Sequence, residues 1–208
     1  MLKTVRYAAF ALIAVMALAW AVSWWRGGTI ARMGLDGLGL SIPGAVSVGG
    51  PFALVDSAGT TVTETTYRGR WMLVFFGYTY CPDVCPTELQ TISAALENLG
   101  PLAAKVVPIF ITIDPERDTR AAIGEYVKLF DDRIIGLTGT KDQVAAAAKS
   151  YRVYYARTKS IDATDYLMDH SSFVYLIGPD GSFRALYRQG VTAQELADAL
   201  RTRLGAGG

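Results

Sequence analysis

Two short, predominantly apolar runs, Trp71–Phe76 and Val106–Ile113, set the strongest limit on what this chain can fold into. Each is too short for a typical helix, and each stops at a breaker, Gly77 in one case and Asp114-Pro115 in the other. Such runs read as buried strands, with Trp71, Phe75 and Phe76 as core residues. Between them, Val84–Leu99 places Leu89, Ile92, Leu96 and Leu99 on one helical face. Pro86 is compatible with that helix only because it falls in the first turn. Strand, helix, strand at this spacing makes the chain α/β.

Further elements follow from turn and cap signals. Phe52–Val55 and Thr61–Glu64 flank Asp56-Ser57-Ala58-Gly59, a short hairpin. Asp118 or Thr119 caps a helix running to Phe130. Ile134–Leu137 is a third strand, and Thr140 with Gln143 has the capping-box spacing for a helix to about Ser150. Phe173–Ile177 and Phe183–Tyr187 flank Gly178-Pro179-Asp180-Gly181, a second hairpin signal. Thr192 with Glu195 is another capping box and opens a terminal helix to about Leu204.

The N-terminal quarter is different in kind. From Tyr7 to Trp25 nineteen residues carry no charge, and at ~1.5 Å per residue such a helix nearly matches a hydrocarbon core of ~30 Å. Lys3 and Arg6 precede it, and Trp20, Trp24 and Trp25 cluster at its far end, where amphipathic rings favour the interface. Ala17-Leu18-Ala19 also has the pattern of a signal-peptide cleavage site, but cleavage there would leave three tryptophans at the start of the mature chain. The segment is therefore read as an uncleaved anchor, with the large C-terminal part exported. Residues 27 to 50 hold eight glycines and no apolar periodicity, as a tether would. The expected organisation is a short segment 1–6, a transmembrane anchor 7–25, a linker 26–50 and one globular domain 51–208. With 51% hydrophobic and 19% charged residues the chain is neither disordered nor fibrous. Its net charge of +1 divides into +3 for residues 1–50 and −2 for the remainder, which argues against nucleic acid as a partner.

In topology, the globular part resembles the thioredoxin fold, with an added N-terminal hairpin and an insertion between the second helix and the last hairpin. In such a sheet the strand 173–177 runs antiparallel beside 71–76, so its start adjoins the other's end. His170 would then share a rim with the loop after Gly77. That loop reads Gly77-Tyr78-Thr79-Tyr80-Cys81-Pro82-Asp83-Val84-Cys85-Pro86.

Cys81 and Cys85 are four apart, so a helix beginning near them would turn both sulfurs to one side. Cys85 lies in the first turn, where the helix dipole favours thiolate. Taken alone the pair also fits a structural disulfide or two buried thiols, and a lone loop histidine such as His170 is commonly a surface or hydrogen-bonded residue. Their shared rim favours ligation. The chain contains only two Cys and one His, so such a site would use all of them. Two thiolates and an imidazole suit Cu(I) and leave zinc one short of its usual four ligands, although Asp83, Asp169 or Met168 could add a contact.

These residues carry a specific resemblance. Gly49-Gly50-Pro51-Phe52, Phe75-Phe76-Gly77-Tyr78-Thr79, Cys81-Pro82-Asp83-Val84-Cys85-Pro86, Ile113 through Thr119 (Ile-Asp-Pro-Glu-Arg-Asp-Thr) and Asp169-His170-Ser171 match, in order, motifs of the Sco family, named for synthesis of cytochrome c oxidase. The resemblance runs from Gly49 to the end of the last helix. It implies a membrane-anchored thioredoxin-like protein that binds copper through Cys81, Cys85 and His170. It further implies delivery to the binuclear copper site of cytochrome c oxidase subunit II, with other copper chaperones and thiol reductants as further partners. The implied location is the inner membrane, single-pass, with the domain in the periplasm rather than in a mitochondrion. Tyr80 departs from the many relatives with His before the first Cys, which touches only an accessory role.

Three functions compete on these residues. The first is a copper chaperone that passes its ion by exchanging ligands one at a time and needs no enzyme chemistry. The second is a thiol-disulfide oxidoreductase that reduces the partner's cysteines by cycling Cys81 and Cys85 as a redox pair. Oxidoreductases of the thioredoxin type place a proline before the strand facing the Cys pair; this chain has none between Pro115 and Pro179, and His170 stands there instead. That favours metal handling. A peroxidase would need Thr-x-x-Cys, whereas Thr79-x-Cys81 is one residue short. Asp114-Pro115-Glu116-Arg117-Asp118 reads as a charged loop with Arg117 paired to a carboxylate, or as a device in which Asp114 shapes the field around copper.

Overall fold

The computed structural model describes residues 16–17, 48–158 and 166–205. The expected anchor at 7–25, apart from Met16 and Ala17, and the expected linker up to residue 47 lie outside them. Among the described residues no helix is long and apolar enough to cross a membrane.

Strands β1 (Ala53–Asp56) and β2 (Thr61–Thr63) form the first hairpin, closed by Gly59 at φ +86°, a backbone conformation that favours glycine. There follow β3 (Trp71–Gly77), α1 (Val84–Leu99), a 3₁₀ turn (Gly100–Lys105) and β4 (Val106–Thr112). After these come α2 (Arg120–Lys128), β5 (Ile135–Thr138) and α3 (Lys141–Ser150). The chain continues through β6 (Tyr155–Arg157), β7 (Met168–His170), β8 (Phe173–Ile177), β9 (Phe183–Arg188) and α4 (Ala193–Gly205).

Seven strands form one mixed sheet in the order β2-β1-β5-β4-β3-β8-β9, while β6 and β7 pair separately. The centre is parallel, β3 with β4 and β4 with β5. Both apolar runs fill it: Met72–Gly77 and Val106–Thr112 are buried throughout. Pro108 is accommodated because β4 is paired there with β3 at Leu73, whereas its pairing to β5 begins only at Ile109. Strand β8 lies antiparallel to β3, with Met72 opposite Ile177 and Phe75 opposite Val174. The start of β8 is thus set beside the end of β3, as the thioredoxin-like topology requires.

The cap signals hold in detail. Thr140 and Gln143 form a reciprocal capping box, and Thr192 and Glu195 exchange the same pair of bonds. Thr119, not Asp118, caps α2, accepting from the Ala122 amide at 3.2 Å. The insertion between α2 and the β8–β9 hairpin consists of β5, α3 and the β6–β7 ribbon. That ribbon corrects one reading: His170 is not in a loop but ends a strand, paired with Tyr155.

Candidate metal centre

The site sits where the polypeptide leaves β3. Gly77 ends the strand, and a Cβ there would lie 2.7 Å from Cys85 Sγ and 2.8 Å from Phe110 Cε2. The absence of a side chain makes room for the second cysteine. The turn is closed by the Cys81 amide donating to the Tyr78 carbonyl at 3.3 Å. Helix α1 starts at once, with Cys85 buried in its first turn and Cys81 just outside it, partly exposed.

A buried carboxylate anchors this loop from the neighbouring segment. Asp118 is fully buried and accepts from the Thr79 amide at 3.1 Å, the Thr79 hydroxyl at 2.5 Å and the Thr112 hydroxyl at 2.6 Å. Burial, the largest influence, pushes its carboxyl above the usual aspartate range, and the hydroxyls and amide pull it back.

His170 arrives on β7. Its Nε2 is 3.6 Å from Cys85 Sγ, and its Nδ1 is 3.1 Å from the Ser171 carbonyl. A carbonyl only accepts, so Nδ1 carries a proton, and Nε2 is the ring atom that faces the sulfurs. Phe75 and Tyr78 pack edge-on against the imidazole at 6.3 and 6.0 Å between ring centres. The ligating atoms of Cys81, Cys85 and His170 all lie within 4.8 Å of one another. Asp83 and Asp169 do not join this group. Met168 contributes its amide to Tyr78, packs against the core and is among the residues lining a cavity of about 330 Å³, with Asp114, Tyr155 and Arg157.

The two sulfurs are electrically unequal. The Cys81 thiol is held down to about 3, first by a hydrogen bond from the Cys85 thiol, then by His170 and by the amides of Cys85 and Asp83, against the opposing effect of burial. Cys85 is pushed far up, first by the charge it serves on Cys81 and then by its own burial. The pair holds a single proton, and Cys81 is the anion. From position alone the helix dipole points to Cys85 as the thiolate; burial outweighs it.

Asp114 is paired as the charged-loop reading expects. It accepts from Arg117 Nε at 2.5 Å and from the Tyr166 hydroxyl at 2.8 Å. Arg117 is sandwiched between Tyr80 and Tyr166, 4.5 and 3.7 Å from their ring centres. Tyr80, 60% exposed, is a stacking surface. Gly77, Tyr78 and Asp118 shape the site without having been singled out for it; Asp118 stood out only as a cap, and its partners 39 and 6 residues away leave no local pattern.

The sequence model of SCO1/SenC matches residues 41–205. The chain belongs to the SCO1/SenC family. The human mitochondrial SCO1 homolog is 42% identical over 159 residues, which cover 76% of this chain and 53% of that protein. The chain spans about half the length of the curated relatives it matches. Among solved structures, ScoI of Arabidopsis thaliana with copper bound is 40% identical, with a TM-score of 0.73 over 77% of this chain and 99% of that one. ScoI of Bradyrhizobium japonicum, also with copper bound, is 44% identical, with a TM-score of 0.70 over 75% and 99%. These likenesses extend to the thioredoxin-like fold as a whole. What the SCO1/SenC site offers chemically is two sulfurs and one imidazole converging from segments 85 residues apart, a set suited to a soft ion.

Proposed function

We propose that this protein is a copper carrier of cytochrome c oxidase assembly, holding the ion through Cys81, Cys85 and His170 and passing it to the binuclear copper site of oxidase subunit II. The observation that carries this reading is the convergence of those three donors within 4.8 Å; the copper-bound relatives support it. The donor set fits Cu(I): two sulfurs supply soft charge and the Nε2 lone pair completes a three-coordinate shell. The ion is cargo, so release matters as much as capture. Cys81 and His170 are partly exposed while Cys85 is completely buried. An acceptor thiolate would therefore displace the two outer donors first, and Cys85 would let go last.

Residues 7–25 would anchor the chain in the inner membrane with the domain on the exported, periplasmic side. There a thiol pair meets partners whose own cysteines are prone to oxidation. A reporter fused after Gly208 should be active only on that side.

A second reading rests on the unequal sulfurs. A Cys81 thiolate beside a Cys85 thiol is the arrangement that attacks a disulfide and then resolves the mixed intermediate. The protein would then reduce the acceptor's cysteines before or instead of loading them.

The deciding measurement is Cu(I) affinity of the reduced chain by chelator competition. Cys81→Ser, Cys85→Ser and His170→Ala should each weaken binding by at least about a hundredfold, since changes outside the ligand set alone reach ten- to hundredfold. Unchanged affinity in all three, with retained disulfide reduction that depends on both cysteines, would replace the carrier by the oxidoreductase.

A further inference from the structure

One side chain touches both halves of the site. Tyr78 is 2% exposed, directly after β3. Its carbonyl closes the cysteine turn by accepting from Cys81. Its ring stands edge-on to His170, at 85° and 6.0 Å between centres. Its hydroxyl accepts from the Met168 amide at 3.2 Å, two residues before His170.

The need for such a connection follows from the topology. Cys81 and Cys85 belong to the loop and helix fastened to the seven-stranded sheet, whereas His170 ends a separate two-stranded ribbon. The ribbon's pairing fixes His170 against Tyr155, and β8, which begins three residues later, brings it to the rim beside the end of β3, but neither sets how β7 sits against the cysteine loop. Ring contacts are broad in geometry, while a hydrogen bond to a specific amide sets a register.

We propose that Tyr78 is a positioning residue whose hydroxyl fastens β7 to the cysteine loop and so keeps the His170 imidazole in line with the two sulfurs. The inference about metal affinity rests on the copper-carrier reading; the inference about the position of His170 does not.

Tyr78→Phe isolates the hydroxyl, because the ring and the backbone bonds remain. In the reduced, metal-free chain the His170 ring-proton resonances should move in Tyr78→Phe. Cu(I) affinity should fall about fivefold to tenfold, the scale of one lost hydrogen bond. In a His170→Ala background the same substitution should add no further loss, since its effect travels through the imidazole. Unmoved resonances, or an equal loss of affinity in the His170→Ala background, would overturn the proposal; the second result would mean that the hydroxyl acts through Cys81. If the wild-type chain binds no copper, the carrier reading falls, and the metal-free resonances still decide the role of Tyr78.

Discussion

The amide of Cys85 donates to the sulfur of Cys81 at 3.4 Å, so the helix that carries one thiol stabilises the charge on the other. Asp83, at the N-cap position of α1, makes no side-chain cap hydrogen bond. The Cys81 sulfur takes over part of that task, and an anion at a helix start is favoured by the exposed amides there.

Alkylation should therefore be selective. In the reduced, metal-free chain at pH 5, Cys81, held down to about 3, should be modified well before Cys85, read by peptide mass spectrometry. Equal rates, or no reaction until the ordinary thiol range near roughly 8.5, would contradict the assignment. The pair also shapes stability. A depressed Cys81 contributes stability present above that ordinary value and lost as pH falls towards about 3. The raised Cys85 contributes stability present below it and lost as pH rises beyond it. The pair's contribution should thus peak near the ordinary thiol pKa, and a Cys81→Ser/Cys85→Ser variant should flatten that part of the melting profile.

Gly77→Ala should damage the site through packing alone. The added methyl would lie under 3 Å from both Cys85 Sγ and the Phe110 ring, neither of which has room to retreat within the core. Overpacking of this kind costs about 1–3 kcal/mol. Thermal unfolding should show that loss together with weakened Cu(I) binding; a variant that matches wild type in both would show that Cys85 has more freedom than its surroundings suggest.

Asp118→Ala should destabilise by about 3 kcal/mol, because three donors lose a buried acceptor at once. The loop from Gly77 to Cys81 should loosen with it. Denaturant unfolding gives the first quantity, and hydrogen exchange at the Thr79 amide reports the second.

Glu88→Gln should stabilise. Glu88 is 2% exposed on α1; one oxygen accepts from the Gly190 amide at 3.3 Å and the other has no partner. Burial, the main cause, raises its pKa, partly offset by that amide. A raised carboxyl contributes stability fully present below the unfolded value near roughly 4.3 and lost as pH rises through the folded value. The gain from Gln should accordingly be absent near pH 4 and reach about 1 kcal/mol at pH 8. A gain independent of pH would point to packing instead.

Most of the fold was legible because its signals are local. The runs at Trp71 and Val106 are short, apolar and bounded by breakers, and the two capping boxes announce α3 and α4 by residue type and spacing. The ribbon was not legible: Tyr155–Arg157 and Met168–His170 are three residues each, with no alternation that period-two reasoning detects. Meeting of the two cysteines with His170 was legible only through topology, since β8 had to start where β3 ends. The identity of the thiolate was not, because burial of Cys85 depends on Gly77 and Phe110 coming together, and no spacing within the cysteine motif encodes that. Nor could sequence show Asp118 reaching back to Thr79.

The separation of the donors gives the site a mechanical meaning as well. An ion gripped by both Cys85 and His170 ties together points 85 residues apart, closing a large loop of the chain in the way a reversible cross-link would. Because the three donors meet only in the folded chain, an ion bound there should raise the melting temperature by mass action, the more so the higher its free concentration. On the proposed carrier role, handing over the ion would cut that tie, and the donor would loosen as its cargo is taken, which would disfavour the reverse transfer.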